Sequence, residues 1–470
     1  MKHRKSIALL LAMVMILGLL AGCGGKGGDT TTEAPKAENT TEAPGTEAPG
    51  TEAPTEEETK DYSMYKVTEP TTIVFWHAVK GNDKYWDKVI AEFNALSAET
   101  NVTVEGVSIG KMNDCRDKLV AAHQAQQGVP VLTTINYPAT PQFYKSGVIT
   151  DISELMEANG FDFSVLLDGV VNQVKDGDAM FAMPWGSGAT VYFTNETRLA
   201  EHNLAEFPET WDEFKTWTKA VYEATGKSAT TILGTGGNLL GSILVNFGGT
   251  MMKEDDPTKT GFDNEHLVTR MKEMQELVSA GYVEWVDTQE TMDLKFLNGD
   301  TMSVYNSLQY YRDYIGGQEA IPEEGRFDVG VAWTWGDVKR VATVAGNCLC
   351  VSETVSQMEK NAAGVFLAWL LNNKQYNEEW AQFVGNVVIY KDRVNDAEAL
   401  LEMYKDLPGI ATNIYPYLEE HYEMKPQSDL FETVHTEIQN AVTEIYLFEG
   451  DFDERWAQAI EEIEYILAGN

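Results

Sequence analysis

Basic residues are scarce in this chain. Against 73 Asp and Glu stand only 35 Lys and Arg, for a formal net charge of −38 over 470 residues. Such a surface repels nucleic acid and anionic lipid headgroups, and its plainest role is solubility. Cysteine is scarce as well, with four in all. Cys348 and Cys350 are two apart in an apolar run, so they face the same side of a strand. No further thiol or His stands at zinc spacing beside them, so they make no metal site. With Cys115 they are odd in number and read as buried free thiols, without a disulfide framework. The seven histidines do not pair at metal spacing. Asp255-Asp256 through Asp263 does not follow the EF-hand pattern. Signatures of catalysis are missing too. Gly186-Ser187-Gly188 lacks the spacing of a nucleophile elbow, and no phosphate-binding glycine loop precedes a Lys-Ser/Thr pair. Carboxylates are abundant enough to leave a glycosidase-like pair open on composition, but nothing positions one. No catalytic residue, cofactor or metal is therefore expected.

What the chain does have begins with an address. Lys2, His3, Arg4 and Lys5 precede an apolar run, residues 7–20, that is short for a membrane span. The run closes on Leu20-Ala21-Gly22-Cys23, which matches the bacterial lipobox. Residues 1–22 thus read as a lipoprotein signal, and Cys23 as the site of lipidation. Several acyl chains on one residue hold a protein at a membrane where one chain barely does. Residues 23–69 read as a disordered tether. Four copies of Thr-Glu-Ala-Pro, at 32–35, 41–44, 46–49 and 51–54, contain nothing that can bury a core. A long acidic tether suits the outer face of a Gram-positive cell membrane.

The folded part opens near Pro70. Residues 71–77 form a strand. Trp86, Val89, Ile90 and Phe93 mark one face of a helix. Residues 101–107 form a strand, 114–127 a helix with Cys115, Leu119 and Ala122 inward, and 129–135 a third strand. This alternation implies right-handed crossovers and a parallel sheet, with ligands beyond the strands' carboxyl ends. That rule singles out His77, Ala78 and Lys80 after the first strand, and Asn136 and Tyr137 after the third. Further on, helices are expected at 264–280, 362–371, 429–448 and 452–468, and a strand at 327–333.

The stretch 179–221 organises the rest. It reads as a strand (179–184), a Gly/Ser break (Gly186-Ser187-Gly188), a second strand (189–194), and a helix after Pro208 capped by Thr210. Trp211, Phe214, Thr218 and Val221 lie on one face of that helix, and Trp211 and Trp217 read as core. Two strands around such a break make either a hairpin or a chain crossing between lobes. The break favours a crossing, which needs backbone freedom.

The order Ala182-Met183-Pro184-Trp185, Tyr192-Phe193-Thr194-Asn195, Asn203-Leu204, Pro208 and Thr210-Trp211-Asp212-Glu213-Phe214 resembles the central crossover of extracellular solute-binding proteins of ABC sugar importers. The resemblance extends through residues 295–305, through 341–350 as a second crossover with Gly346-Asn347 where Gly-Gly is usual, and through 362–371. It implies an α/β fold of the two-lobed periplasmic-binding-protein-like kind (class II). Lobe one would comprise residues 70–183 plus 343–405, and lobe two residues 184–342 plus 406–470. The hinges would lie near Pro184 and Ala345. It implies capture of a carbohydrate between the lobes by a monomer, delivery to the membrane subunits of an ABC permease, and no nucleic acid partner.

A sugar site needs flat aromatics beneath the ring and polar groups at its edge. Trp76, Trp185, Trp333 and Trp335 fall at strand ends or junctions; Trp333 and Trp335 share one face of a strand end. Each is either a cleft platform or core. Asn136, Ser187, Asn306, Ser307, Gly346 and Asn347 are the polar candidates, and each could instead cap a turn. His77 is either a ligand contact or a packed strand-end histidine. Within the family, Phe75-Trp76-His77, residues 296–302 and Ser307-Leu308…Arg312 resemble the glycerol-3-phosphate-binding branch. The chain departs from it where that branch has a Trp-rich loop (residues 236–242 here), a phosphate-holding Arg (431–435) and a Gly-Tyr-Leu-Pro turn (Gly385-Asn386-Val387-Val388). A dianion without an Arg clamp is poorly served in so acidic a chain, so a neutral sugar or oligosaccharide is expected.

Overall fold

Strand β1, Thr71–His77, spans the residues expected from the sequence and buries Ile73, Phe75 and His77 on one face. The computed structural model describes residues 60–78, 83–234, 239–418, 422–423, 428 and 430–469. Cys23, the Thr-Glu-Ala-Pro repeats, Lys80 and part of the 236–242 loop lie outside the described residues. Asp61–Asn470 forms one compact unit, to which every element below belongs.

The strands are β2 (Val102–Ser108), β3 (Leu132–Asn136), the two-residue pair β4 (Lys175–Asp176) and β5 (Ala179–Met180), β6 (Met183–Asn195), β7 (Thr230–Leu233), β8 (Val283–Val286), β9 (Ser303–Ser307), β10 (Val329–Ala332), β11 (Ala342–Val351) and β12 (Tyr422–Glu423). One sheet runs in the order β2-β1-β3-β11-β6-β9-β7-β8, with β10 also on β6 and β12 on β11. The pairs β1–β2 and β1–β3 are parallel, as are β7–β8 and β7–β9. The strands joining these blocks, β6 and β11, are antiparallel to each other and to β9 and β3, while β12 lies parallel to β11. Each parallel block is the α/β unit expected from strand–helix alternation.

Two lobes follow from how β6 changes partners. Residues 183–189 of β6 pair with β11, and residues 190–195 pair with β9 and β10. The first lobe holds a core built on Phe75, Trp86, Phe93, Ile135, Phe366, Leu370 and Trp380. The second lobe's sheet carries a core on each face: Tyr192, Ile232 and Tyr305 point to one, Val191, Phe193 and Val304 to the other. The helix Trp211–Thr225 is capped as expected. Thr210 accepts from the Glu213 amide and Glu213 reaches back, a capping box. Trp211, Phe214, Thr218 and Val221 are buried on its inner face.

One expectation is corrected here. The Gly/Ser stretch does not break the chain: β6 runs unbroken through Gly186-Ser187-Gly188, buried along its whole length. Its pairing with β11 holds those residues in the extended conformation. The hairpin alternative falls with the break, because β6 passes from one lobe to the other. Around the third passage the two cores interleave: Ile389 and Tyr390 pack in the first, and Val387, Val388, Leu400 and Tyr404 in one of the second lobe's cores. The three thiols are free and buried, and Cys348 Sγ lies 3.8 Å from Cys350 Sγ on one face of β11.

Candidate functional site at the interlobe junction

Three passages of the chain meet between the lobes. Along β6 and β11, Ser187 is opposite Gly346 and Gly186 is opposite Asn347. Asn347 in turn is opposite Asn136 at the end of β3. Gly186, Asn347 and Asn136 therefore form a row across three strands. The third passage touches the same place, where the Val387 amide donates to Ser187 O at 2.8 Å. Close approach requires small residues here. A Cβ on Gly346 would lie 2.0 Å from the Gly186 carbonyl oxygen, and one on Gly186 would lie 2.2 Å from Asn347 Oδ1.

On the second lobe, Ser307 is opposite Thr190 and Asn306 opposite Val191. They sit three to four residues along β6 from Ser187, about 10 Å at the rise of a strand. Asn306 is part of a polar chain. Its Nδ2 donates to Tyr314 Oη at 2.8 Å, and that hydroxyl donates to Asp293 Oδ1 at 2.6 Å. Gln289 Nε2 donates to the same carboxylate oxygen at 2.7 Å. Burial, and then the Asp293 charge, push the Tyr314 hydroxyl far above the ordinary phenol range, so it remains a donor to the carboxylate. The Tyr310 hydroxyl beside them is raised for the same two reasons, with Asp313 adding to them. Sequence reasoning missed Asp293, Gln289 and Tyr310. The available signal was the helical spacing of Gln289 and Asp293 just past β8, whose carboxyl end lies at this junction.

The structure brings Asn136, Ser187, Gly346, Asn347, Asn306 and Ser307 to the junction. It does not bring the aromatics there as platforms. Trp185 is fully buried in the first core, with ring centroids 5.6 Å from Trp86 and 6.2 Å from Trp380. Trp333 and Trp335 lie past the end of β10, not on one strand face. Trp333 stacks on Tyr417 in one core of the second lobe, and Trp335 packs against Trp211 and Phe247 in the other, donating to Tyr192 Oη at 2.9 Å. Apolar burial outweighs exposure for rings of this size. His77 is packed, 2% exposed, against Phe75 and Trp86. Trp76, on the opposite face of β1, is half-buried. Also missed were Trp86, Trp380 and Asn386, which surround the junction from the helices Asp83–Asn94 and Lys374–Val384 and from the third passage. A cavity of about 740 Å³ lies elsewhere, around Glu196, Tyr311 and Asn413 at the far end of β6, and none of these candidates lines it.

Two α/β lobes on a shared sheet, with polar strand ends gathered where the chain crosses, define a two-lobed binding protein. Residues 88–412 match the family described as bacterial extracellular solute-binding protein, and the chain belongs to that family. Its location is accordingly extracytoplasmic. No helix among the described residues is long and apolar enough to cross a membrane. The diacetylchitobiose binding protein DasA of Streptomyces coelicolor is 26% identical over 184 residues, 39% of this chain and 42% of that relative. The match thus spans less than half of the relative's length. The cyclic alpha-maltosyl-1,6-maltose binding protein of Arthrobacter globiformis has a similar structure, with a TM-score of 0.71 and 19% identity over 85% of this chain and all of the other. UgpB of Mycobacterium tuberculosis, in complex with glycerophosphocholine, superposes with a TM-score of 0.69 at 19% identity, covering 85% of this chain and 98% of that one. The family and these neighbours are binding proteins, not enzymes.

Proposed function

We propose that this protein is the receptor of an ABC importer. It captures a sugar or oligosaccharide between its lobes by hinge closure and hands it to a membrane permease. The observation that carries the sugar assignment is the Asn306–Tyr314–Asp293–Gln289 chain beside the Asn136–Asn347 row. Amides, phenols and a carboxylate at one edge suit the hydroxyls of a neutral saccharide, and Asp293 opposes a phosphate. None of the residues named at this junction is a lysine or arginine. The DasA similarity supports a saccharide, and the UgpB likeness extends only to the fold. Asn136, Ser187, Asn306, Ser307, Gly346 and Asn347 are its polar contacts, with Asp293 added to them. Acylation of Cys23 holds the monomer at the outer face of a Gram-positive membrane.

The test is calorimetric titration of the protein with diacetylchitobiose, maltose-type oligosaccharides, glycerol-3-phosphate and glycerophosphocholine. Saccharide binding that weakens in Asp293→Asn supports the assignment. Binding of the phosphates alone overturns it. Anchoring is tested separately: Cys23→Ala should move the protein from the membrane fraction to the medium.

A further inference from the structure

Six buried polar atoms on residues of the first core and the junction have no hydrogen-bonding partner among the described residues. They are the Nε1 atoms of Trp86, Trp185 and Trp380, Nδ2 of Asn347, and both Nδ2 and Oδ1 of Asn386. Their residues are between 0% and 4% exposed. Buried amides and indoles are ordinarily paired, and leaving them unpaired is costly. Such a concentration at one place marks an arrangement that another arrangement can relieve.

Three of the groups point at one spot. Asn347 Oδ1, Asn386 Nδ2 and Trp380 Nε1 lie 2.2, 3.0 and 3.1 Å from the position a Gly186 Cβ would take. They come from different passages. Gly186 is on the first (β6), Asn347 on the second (β11) and Asn386 on the third, with Trp380 on the helix that feeds the third. Gly186, Asn347 and Trp380 belong to the first lobe, whereas Asn386 is tied to the second through Tyr404, so a rotation between the lobes acts on Asn386 against the other three, and a small shift changes which amide reaches which. The rest of Asn386 is fixed: its amide donates to Ala381 O at 2.9 Å and its carbonyl accepts from Tyr404 Oη at 2.8 Å. Only its side chain is left to respond.

We propose that Asn347 and Asn386 are positioning residues that set the lobe angle. In the arrangement described here Asn347 Nδ2 and both polar side-chain atoms of Asn386 are unpaired. In the second arrangement Asn386 Nδ2 donates to Asn347 Oδ1, and Trp380 Nε1 donates to Asn386 Oδ1. The junction is then a two-state element whose balance biases the lobes before any ligand arrives. Position 186 is glycine because a side chain there would occupy the space the amides cross. Nothing in this depends on which ligand is bound.

The experiment is double electron–electron resonance on the ligand-free full chain, with nitroxides at Glu99→Cys and Glu223→Cys in a Cys23→Ser background. Both label positions are exposed, one on each lobe, and the three remaining native thiols are buried. Asn386→Leu keeps the branched shape and heavy-atom count and removes the hydrogen-bonding groups, and Asn347→Ala removes the acceptor without overpacking. Each should shift the ratio of the two inter-lobe distances by about tenfold, the size expected for a hydrogen-bonded pair. The double variant should shift it no further than either single, because the pair acts as a unit. Melting temperature separates this role from a structural one: loss of an unpaired amide should leave it unchanged or raised in Asn386→Leu. A distance distribution unaltered by either variant, or additive shifts in the double, overturns the proposal.

Discussion

Alanine at Gly346 should damage the protein far more than alanine at Gly186, although the two glycines are neighbours across the same pair of strands. The difference lies in what each new Cβ meets. At Gly186 the nearest atom is Asn347 Oδ1 at 2.2 Å, the tip of a side chain that can rotate, followed by Asn386 Nδ2 at 3.0 Å. At Gly346 it is the Gly186 carbonyl oxygen at 2.0 Å and its carbon at 2.8 Å, with the Tyr137 ring at 2.9 Å. A backbone carbonyl in a paired strand moves only if the strands separate. Overpacking of a well-packed site costs about 1–3 kcal/mol, and replacing a strand glycine recovers about 0.5–1 kcal/mol of backbone entropy. Gly186→Ala should therefore cost about 1 kcal/mol net and Gly346→Ala about 3 kcal/mol or more. Urea denaturation followed by tryptophan fluorescence measures both. Adding Asn347→Ala should recover most of the Gly186→Ala loss and little of the Gly346→Ala loss, since only the first clash is with that side chain. Equal costs at the two positions, or rescue of Gly346→Ala by Asn347→Ala, would refute the argument that backbone contact between β6 and β11 dictates the small residues.

Further outcomes follow from other contacts. Burial pushes the Glu273 carboxyl up, but hydrogen bonds from Trp211, Lys215 and Arg270 outweigh it and hold its pKa below the ordinary carboxylate value. A depressed folded pKa stabilises above the unfolded value and is lost as pH falls through the folded one. Glu273→Gln should thus cost about 1–2 kcal/mol at pH 7, with the gap to the parent protein closing below about pH 4, as seen by denaturation across pH. Trp211→Phe should destabilise more than Trp185→Phe by about 1 kcal/mol. Trp211 Nε1 donates to Glu273 Oε2 at 2.6 Å, and its loss leaves that carboxylate short of a donor, while Trp185 Nε1 has no partner to lose. Burial raises the Cys348 thiol well above its ordinary pKa, so Cys115, Cys348 and Cys350 should resist Ellman's reagent at pH 8 in the native chain and react on unfolding. Asp293→Asn should weaken saccharide binding by about tenfold or more in calorimetry, the loss expected for a charge-assisted hydrogen bond.

Much of the fold was legible because single elements obey local rules. The strand expected at 71–77 matches β1 to the residue, and Thr210 announced its helix because an N-cap is a chemical requirement of the first turn. The Gly186-Ser187-Gly188 stretch was misread for an instructive reason. Glycine marks both breaks and close approaches, and sequence alone does not show that Asn347 Oδ1 lies 2.2 Å from where a Gly186 Cβ would be. Trp333 and Trp335 failed similarly. Their spacing predicts a shared strand face only if the strand continues, and β10 ends at Ala332. The rule that ligands lie beyond carboxyl ends singled out Asn136, which the structure places at the junction. Asp293 was not, because it sits on a helix and joins Asn306 only through Tyr314, a contact between residues 8 and 21 positions apart in the chain.

The three passages also constrain how the lobes can move. A hinge on two strands with a flexible break would let the lobes swing freely. Here β6 is unbroken and paired on both sides of the junction, so rotation must come from twisting or bending a continuous sheet. Such a sheet resists bending where its strands carry bulk and yields where they do not. Gly186, Gly188 and Gly346 remove bulk at that line, and the pairing of β6 with β11 shifts register there, between Asn347 and Cys348. An irregularity of this kind increases local twist. The glycines and the register shift together put the most deformable part of the sheet beside Asn347 and Asn386.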